Sequence, residues 1–125
     1  MIRIIVYGLR YGDVTAPFKP FSHDFSCKKF TNPHHDKRLR QLTGFDKPVI
    51  DELKSSGFFD QLIDQIEREV GDLTVSQTIG LHCTGGRHRS VVVALELWRR
   101  WRARGIEVEM KFLTPISAER WKAFR

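Results

Sequence analysis

Residues 2–7, Ile-Arg-Ile-Ile-Val-Tyr, are a β-branched run closed by Gly8, which predicts a buried first strand. The turn Gly8-Leu9-Arg10-Tyr11-Gly12 sets an arginine between two glycines. A short apolar segment around Phe25–Phe30 predicts a second, edge-like strand. Asn32-Pro33-His34-His35-Asp36 then reads as a turn, because Pro33 lacks an N–H and pushes its predecessor out of helix. Asp46 and Pro48 predict a capped helix entry, with Val49, Ile50 and Leu53 on one face up to Gly57. Helical spacing is clearest over Phe59–Val70, where Leu62, Ile63, Ile66 and Val70 share a face and Gly71 supplies the stop. Residues 75–82 predict a strand and residues 90–104 a helix with Val91, Ala94, Leu95 and Trp98 inward. Ile106–Phe112 alternates as a further strand, and Ser117 can start a last short helix, residues 113–125 otherwise forming a loose basic tail. Strand, helix and strand joined by a tight turn imply a parallel crossover. The fold class expected is therefore α/β, a mostly parallel sheet flanked by helices.

Composition changes this picture little. The 125 residues suit a single domain, 1–125, with a real core, and 41% hydrophobic against 29% charged residues is a globular balance. The two cysteines make no disulfide framework, and no targeting segment or apolar span is legible, so a cytoplasmic, non-membrane protein is expected. The net charge of +6 points to an anionic partner without choosing between a phosphorylated small molecule and RNA. Many of the cations lie in the last third, among them Arg99, Arg100, Arg102, Arg104 and Arg120.

Chemistry concentrates in His82-Cys83-Thr84-Gly85-Gly86-Arg87-His88-Arg89-Ser90, between the third predicted strand and the long helix. Adjacent glycines let the backbone turn sharply, the helix start adds its positive end, and Arg87 or Arg89 can clamp an anion with two parallel bonds. Hydroxyls of Thr84 and Ser90 add donors, and Arg10 and Lys28 are rim candidates. Two arginines and a histidine beside two glycines exceed what a turn requires, so anion binding is expected. The same residues match the cysteine-phosphatase pattern His-Cys-x5-Arg-Ser. In that alternative Cys83 is the nucleophile, Arg89 the clamp and Asp36 (or Asp46) the general acid. His34, His35, His82, His88 and Cys83 fit no usual zinc spacing, so no metal and no cofactor are expected. Trp98, Trp101 and Trp121 are candidates for stacking on bases, Trp98 reading rather as core, and Cys27 with Cys83 for a regulatory disulfide.

Five blocks in order carry a resemblance over nearly the whole chain. They are Tyr7-Gly-Leu-Arg-Tyr-Gly12; Asn32-Pro-His34 with Asp36; Leu39-Arg40, Thr43-Gly44 and Asp46-Lys-Pro-Val49; Cys83–Ser90; and Arg104-Gly105 with Val108. Together they resemble the C-terminal domain of the RNase adapter RapZ (YvcJ-like) family, here read as a stand-alone domain. The resemblance implies a sheet similar to a phosphofructokinase subdomain, binding of an aminosugar phosphate, a part in RNA binding, a partner protein and a homo-oligomer. It places the anion site on Thr84, Gly85, Gly86, His88, Arg89 and Ser90 with His34, Asn32 lying at the rim, and gives Cys83 no thiol chemistry. Where the family has Asp-Val-Arg this chain has Ser26-Cys27-Lys28, and where it has a basic Arg-His-Arg this chain has Lys111-Phe112-Leu113. No Gly-x4-Gly-Lys-Ser/Thr occurs, so P-loop hydrolysis of ATP or GTP has no residues to carry it. The expected role is a phosphate, phosphosugar or nucleotide sensor or adaptor.

Overall fold

A computed structural model describes residues 1–125. Four strands, β1 (Ile2–Gly8), β2 (His23–Ser26), β3 (Gln77–Cys83) and β4 (Val108–Phe112), form one all-parallel sheet in the order β2-β3-β1-β4. Four helices accompany it: α1 (Lys47–Lys54), α2 (Phe59–Val70), α3 (Arg89–Ala103) and α4 (Pro115–Phe124).

Strand alternation sorts the sheet into two unlike faces. One carries Ile2, Ile4, Val6, Phe25, Ile79, Leu81, Met110 and Phe112, which join α1, α2 and α3 in a single core that includes the fully buried Trp101. At about 25 cal/mol per Å2 of apolar surface, this face supplies most of the driving force for folding. The other face carries Arg3, Tyr7, Asp24, His82 and Lys111 and is far more polar. There Tyr7 Oη donates to Asp24 Oδ2 at 2.6 Å, His82 Nδ1 lies 3.1 Å from Asp24 Oδ1, and Phe21 packs over Tyr7. Burial raises the Tyr7 phenol well above its ordinary value, the Asp24 carboxylate adding to it. Burial also works against the Asp24 charge, yet the bonds from His82 and Tyr7 outweigh it and hold that carboxyl low.

The predicted elements are present with shifts that have causes. The second strand is His23–Ser26, two residues earlier than its apolar segment. Only Phe25 of that segment sits in the ladder; Cys27 and Phe30 fill the core from the turn behind it. Asp46 stands at the N-cap of α1 but does not cap it. Its carboxylate is taken instead by Arg120 and by the Thr43 N–H. The last helix begins at Pro115, two residues before Ser117, and it is no loose tail, because Ser117 is buried and Trp121 packs on Phe112. Trp101 is a core residue at 0% exposure and cannot stack on a base. Trp98, read as core, packs against the core cluster and keeps one part exposed, with the Arg102 guanidinium 4.6 Å from its ring centre. No helix is long and apolar enough to cross a membrane.

Parallel pairing brings every strand's carboxyl end to one edge, so the loops after β1, β2 and β3 meet there. The chain leaves β1 towards β2 on one side and leaves β3 towards β4 on the other. The crevice between β1 and β3 is thus where open α/β sheets take ligands.

Candidate functional site

The loop joining β3 to α3, residues 84–88, lies directly at that crevice, in register with Gly8 at the end of β1. Gly86 has φ +65°, and a Cβ there would come within 2.7 Å of the Gly8 nitrogen and of Thr114 Oγ1. Backbone therefore packs on backbone, which only glycine allows. Gly85 is the opposite case: a Cβ built on it meets nothing within 4 Å, because it faces open space.

All five carbonyls of this loop are tied into the scaffold. Thr84 O accepts from Arg10 N–H at 3.1 Å, Gly85 O from Thr114 Oγ1 at 3.3 Å and Gly86 O from Ser117 Oγ at 3.1 Å. Arg87 O accepts from Gly44 N–H at 2.9 Å, and His88 O from Val92 N–H at 3.1 Å. The N–H groups of residues 84–88 find no backbone acceptor within the protein. A peptide whose carbonyls are turned inward in succession leaves its N–H groups as a donor array, continued here by the free N–H groups of the first turn of α3. Strand β1, the loop before α1 and the start of α4 each contribute to holding it.

Beside the loop lies a cavity of about 500 Å3, lined by Arg10, Tyr11, Asn32, His34, His35, Arg40, Gln41, Cys83, Thr84, Gly85, Arg87, His88 and Arg89. His34, Thr84, Gly85, Arg87, His88 and Arg89 are thus brought together, with Arg10 and Asn32 at the same opening. Gly86 and Ser90 lie behind the lining and Lys28 and Asp36 outside it. Lys28 contributes its carbonyl, which accepts from Arg89. Tyr11, His35, Arg40 and Gln41 were not assigned to the anion site from the sequence. Tyr11 and Arg40 stand in blocks that carry the resemblance and His35 among the zinc candidates, while only the neighbouring Leu39-Arg40 block hinted at Gln41.

Arg89 is 5% exposed, and its Nη1 donates to Lys28 O and Phe30 O at 3.2 Å each, while Nη2 reaches Thr84 Oγ1 at 3.4 Å. Its Nε has no partner, and neither has Nε2 of His88, which is 4% exposed. Buried polar atoms left unpaired in this way cost about 1–3 kcal/mol each. Burial pushes the His88 imidazole below its ordinary value, so it is neutral at pH 7. Arg87 donates through Nε to Leu42 O at 2.8 Å and through Nη2 to Gln41 O, fastening the opposite wall.

This arrangement does not equip the phosphatase alternative. Cys83 is 2% exposed with its Sγ 3.2 Å from Ser90 Oγ, a contact that such enzymes also use. Arg89, however, spends Nη1 on two carbonyls instead of presenting a fork to a phosphoryl group. Asp36 is bound by Arg38, whose hydrogen bonds hold its carboxyl below the usual range. Asp46 is held low in the same way by Arg120. A general acid needs a pKa near the working pH, and both candidates are tuned away from it. Cys27 and Cys83 are both free and buried, and burial, followed by the neighbouring Cys83, raises the Cys27 thiol well above its ordinary value. His82 points to the polar face with Asp24, apart from Cys83 on the core face, and no group of three metal-ligating side chains forms.

Comparison with known proteins agrees with the block pattern. The sequence model described as the RapZ C-terminal domain matches residues 1–114. An RNase adapter protein RapZ of Yersinia pseudotuberculosis is 33% identical over 132 aligned positions, covering 91% of this chain and 46% of the relative. One of Yersinia pestis shows the same figures, 33% identity over 91% of this chain and 46% of its own length. The RapZ of Hamiltonella defensa is 35% identical, with 86% of this chain and 39% of the relative covered. The chain thus spans about half the length, or less, of the curated relatives it matches.

Proposed function

This chain belongs to the RapZ C-terminal domain family, and within it we propose that residues 84–88 bind the phosphate of a small phosphorylated ligand whose presence is passed to a partner. The observation that carries the reading is the loop's polarity: five consecutive carbonyls are engaged by the scaffold, the N–H groups of residues 84–88 have no acceptor within the protein, and four of these five residues line a cavity. Arg89 Nε and the N-terminus of α3 add charge to the same spot, a favourable setting for phosphate. No covalent step is assigned, since neither a presented arginine fork nor an available general acid accompanies Cys83.

The relatives are RNase adapter proteins by name, so the partner side of the reading is a protein or an RNA that senses the occupied domain. The surface that would move is the one the cavity already couples: the turn around His34, held to Arg40, and the loop before α1, held by Arg87.

Thermal unfolding with and without inorganic phosphate or a hexose phosphate tests the binding step. Stabilisation of about 2.7 kcal/mol is expected at a hundredfold excess over Kd. Gly85→Asp places a carboxylate where nothing lies within 4 Å, so the fold is kept and the ligand shift is lost. No shift in the wild-type protein, or an equal shift in Gly85→Asp, refutes the proposal.

A further inference from the structure

Far from the cavity, the sheet ends in two unequal margins. β2 forms one with four residues, and β4 forms the other with five, Val108-Glu-Met-Lys-Phe112. β4 pairs with β1 alone. The bonds from Ile2 N–H to Glu107 O, at 3.1 Å, and from Leu113 N–H to Val6 O, at 2.9 Å, flank that ladder and set its parity. Residues 107, 109, 111 and 113 therefore face β1, while Val108, Met110 and Phe112 turn their N–H groups and carbonyls outward. None of these outward groups has another backbone partner in the chain. Such a row of unpaired peptide groups is a template for one more strand. Room for it exists, since a groove of about 510 Å3 is lined by Glu107–Lys111 together with Trp98, Arg102, Trp121 and Arg125.

The side chains of β4 specify which strand fits. Val108, Met110 and Phe112 lie on the core face, and Glu109 and Lys111 on the polar face. Let a second copy meet this edge antiparallel, about a two-fold axis at Met110. Met110 then exchanges both hydrogen bonds with its counterpart, and Val108 does the same with the partner's Phe112, so every outward group is used. Between these pairs Glu109 stands directly opposite the partner's Lys111, and Lys111 opposite the partner's Glu109. Glu109 has an oxygen to spare for this contact. Its ion pairs with Arg3, at 3.4 Å, and with its own Lys111, at 4.0 Å, both use Oε1 and leave Oε2 unengaged. Moving the axis to Glu109 or to Lys111 would instead oppose two carboxylates or two ammonium groups, which is destabilising. A lysine on an edge strand ordinarily discourages pairing, but in the Met110-centred register Lys111 is answered by a carboxylate.

We propose that the free edge of β4 pairs antiparallel with the β4 of a second copy of this chain, in the register centred on Met110. One sheet then runs continuously through both copies. The contact uses the same patch on each chain, so it closes as a pair and leaves no open edge at β4. It stands independently of what the cavity at the other end of the strands binds.

Sedimentation equilibrium of the full chain across the micromolar range reads the association, with Glu109→Lys and Lys111→Glu as the variants. Their side chains are 34% and 50% exposed, so both variants keep the fold, which circular dichroism checks. The wild-type chain is expected to pair. Each variant alone sets like charges opposite one another at two symmetry-related positions, and should weaken association by about tenfold or more. An equimolar mixture of the two variants brings two cations on one strand against two carboxylates on the other. It should therefore regain the wild-type mass at the same concentration. A wild-type chain that stays monomeric throughout overturns the proposal and leaves the edge to an extended segment of another protein. Association that neither substitution weakens places the interface elsewhere and overturns it equally. A mixture that associates no better than either variant by itself overturns the register.

Discussion

Two neighbouring glycines in one loop are predicted to respond oppositely to the same methyl group. Gly86→Ala forces an L-residue to φ +65°, a left-handed conformation costing roughly 1–2 kcal/mol. Its Cβ also lands 2.7 Å from the Gly8 nitrogen and 2.9 Å from the Tyr7 carbonyl carbon. Both are backbone atoms of the central strand, bonded on each side to β3 and β4, so they cannot yield cheaply. Overpacking of that kind adds about 1–3 kcal/mol, for a total near 2–5 kcal/mol. In a chain this size each kcal/mol shifts Tm by roughly 3–5 °C, so a loss of about 6–25 °C is expected. Gly85→Ala meets nothing within 4 Å and is not at positive φ, so it should be neutral or gain up to about 1 kcal/mol through the unfolded state. Thermal and urea unfolding of the two variants, read side by side, provide the assay. Equal midpoints, or a larger loss at Gly85, would show that the loop is not pinned against β1 as described and would remove the basis for its donor array.

Two further outcomes follow from the ion pairs. Arg120, with Thr43, holds the Asp46 carboxyl below its ordinary value, so that carboxylate stabilises the fold above the usual carboxylate range; the contribution is lost as pH falls through the depressed folded value. Asp46→Asn should flatten this acid limb, at a cost of about 1 kcal/mol near pH 7 for a partly exposed bidentate pair, and an unchanged limb in acid unfolding refutes the assignment. Glu96 is buried among Lys54, Arg99 and Arg100, all of them more exposed than it is; Glu96→Gln should cost only about 1–2 kcal/mol, because the released cations return to water, and a loss above about 4 kcal/mol in urea unfolding would contradict that view.

Periodicity carried the long elements well. Phe59–Val70 was legible to the residue because its apolar face, its Gly71 stop and its acidic opposite face all agree. Short elements were less so. In β2 the ladder needs backbone, not side-chain pattern, and Cys27 and Phe30 are apolar for the core although they stand outside the strand. Asp46 shows the same limit at a single position. A cap can be inferred from the residue type, but the sequence does not say that Arg120, 74 residues on, will claim the carboxylate. Trp98 and Trp101 differ in fate although both lie on α3: Trp101 is sealed in the core, while Trp98 meets Trp121 of α4 edge-on and stays partly exposed, a difference the helical spacing did not give.

The cavity lining was half legible, and the missing half is instructive. Residues 84–89 could be assigned because an anion site needs glycines, donors and a helix start in one segment. Arg40 and Gln41 could not, since what brings them in is the Arg87 side chain crossing to the carbonyls of Gln41 and Leu42. That crossing also decides between the two chemistries the segment could have served. A nucleophilic loop needs its arginine free to follow the phosphoryl group through the reaction, whereas here Arg87 and Arg89 both hold neighbouring loops by their carbonyls. Guanidinium groups spent on scaffold fix the shape of a site and raise its potential without moving in it. On the proposed reading, an anion placed in such a site would change how tightly three loops are held together, which is the physical change a sensor would report.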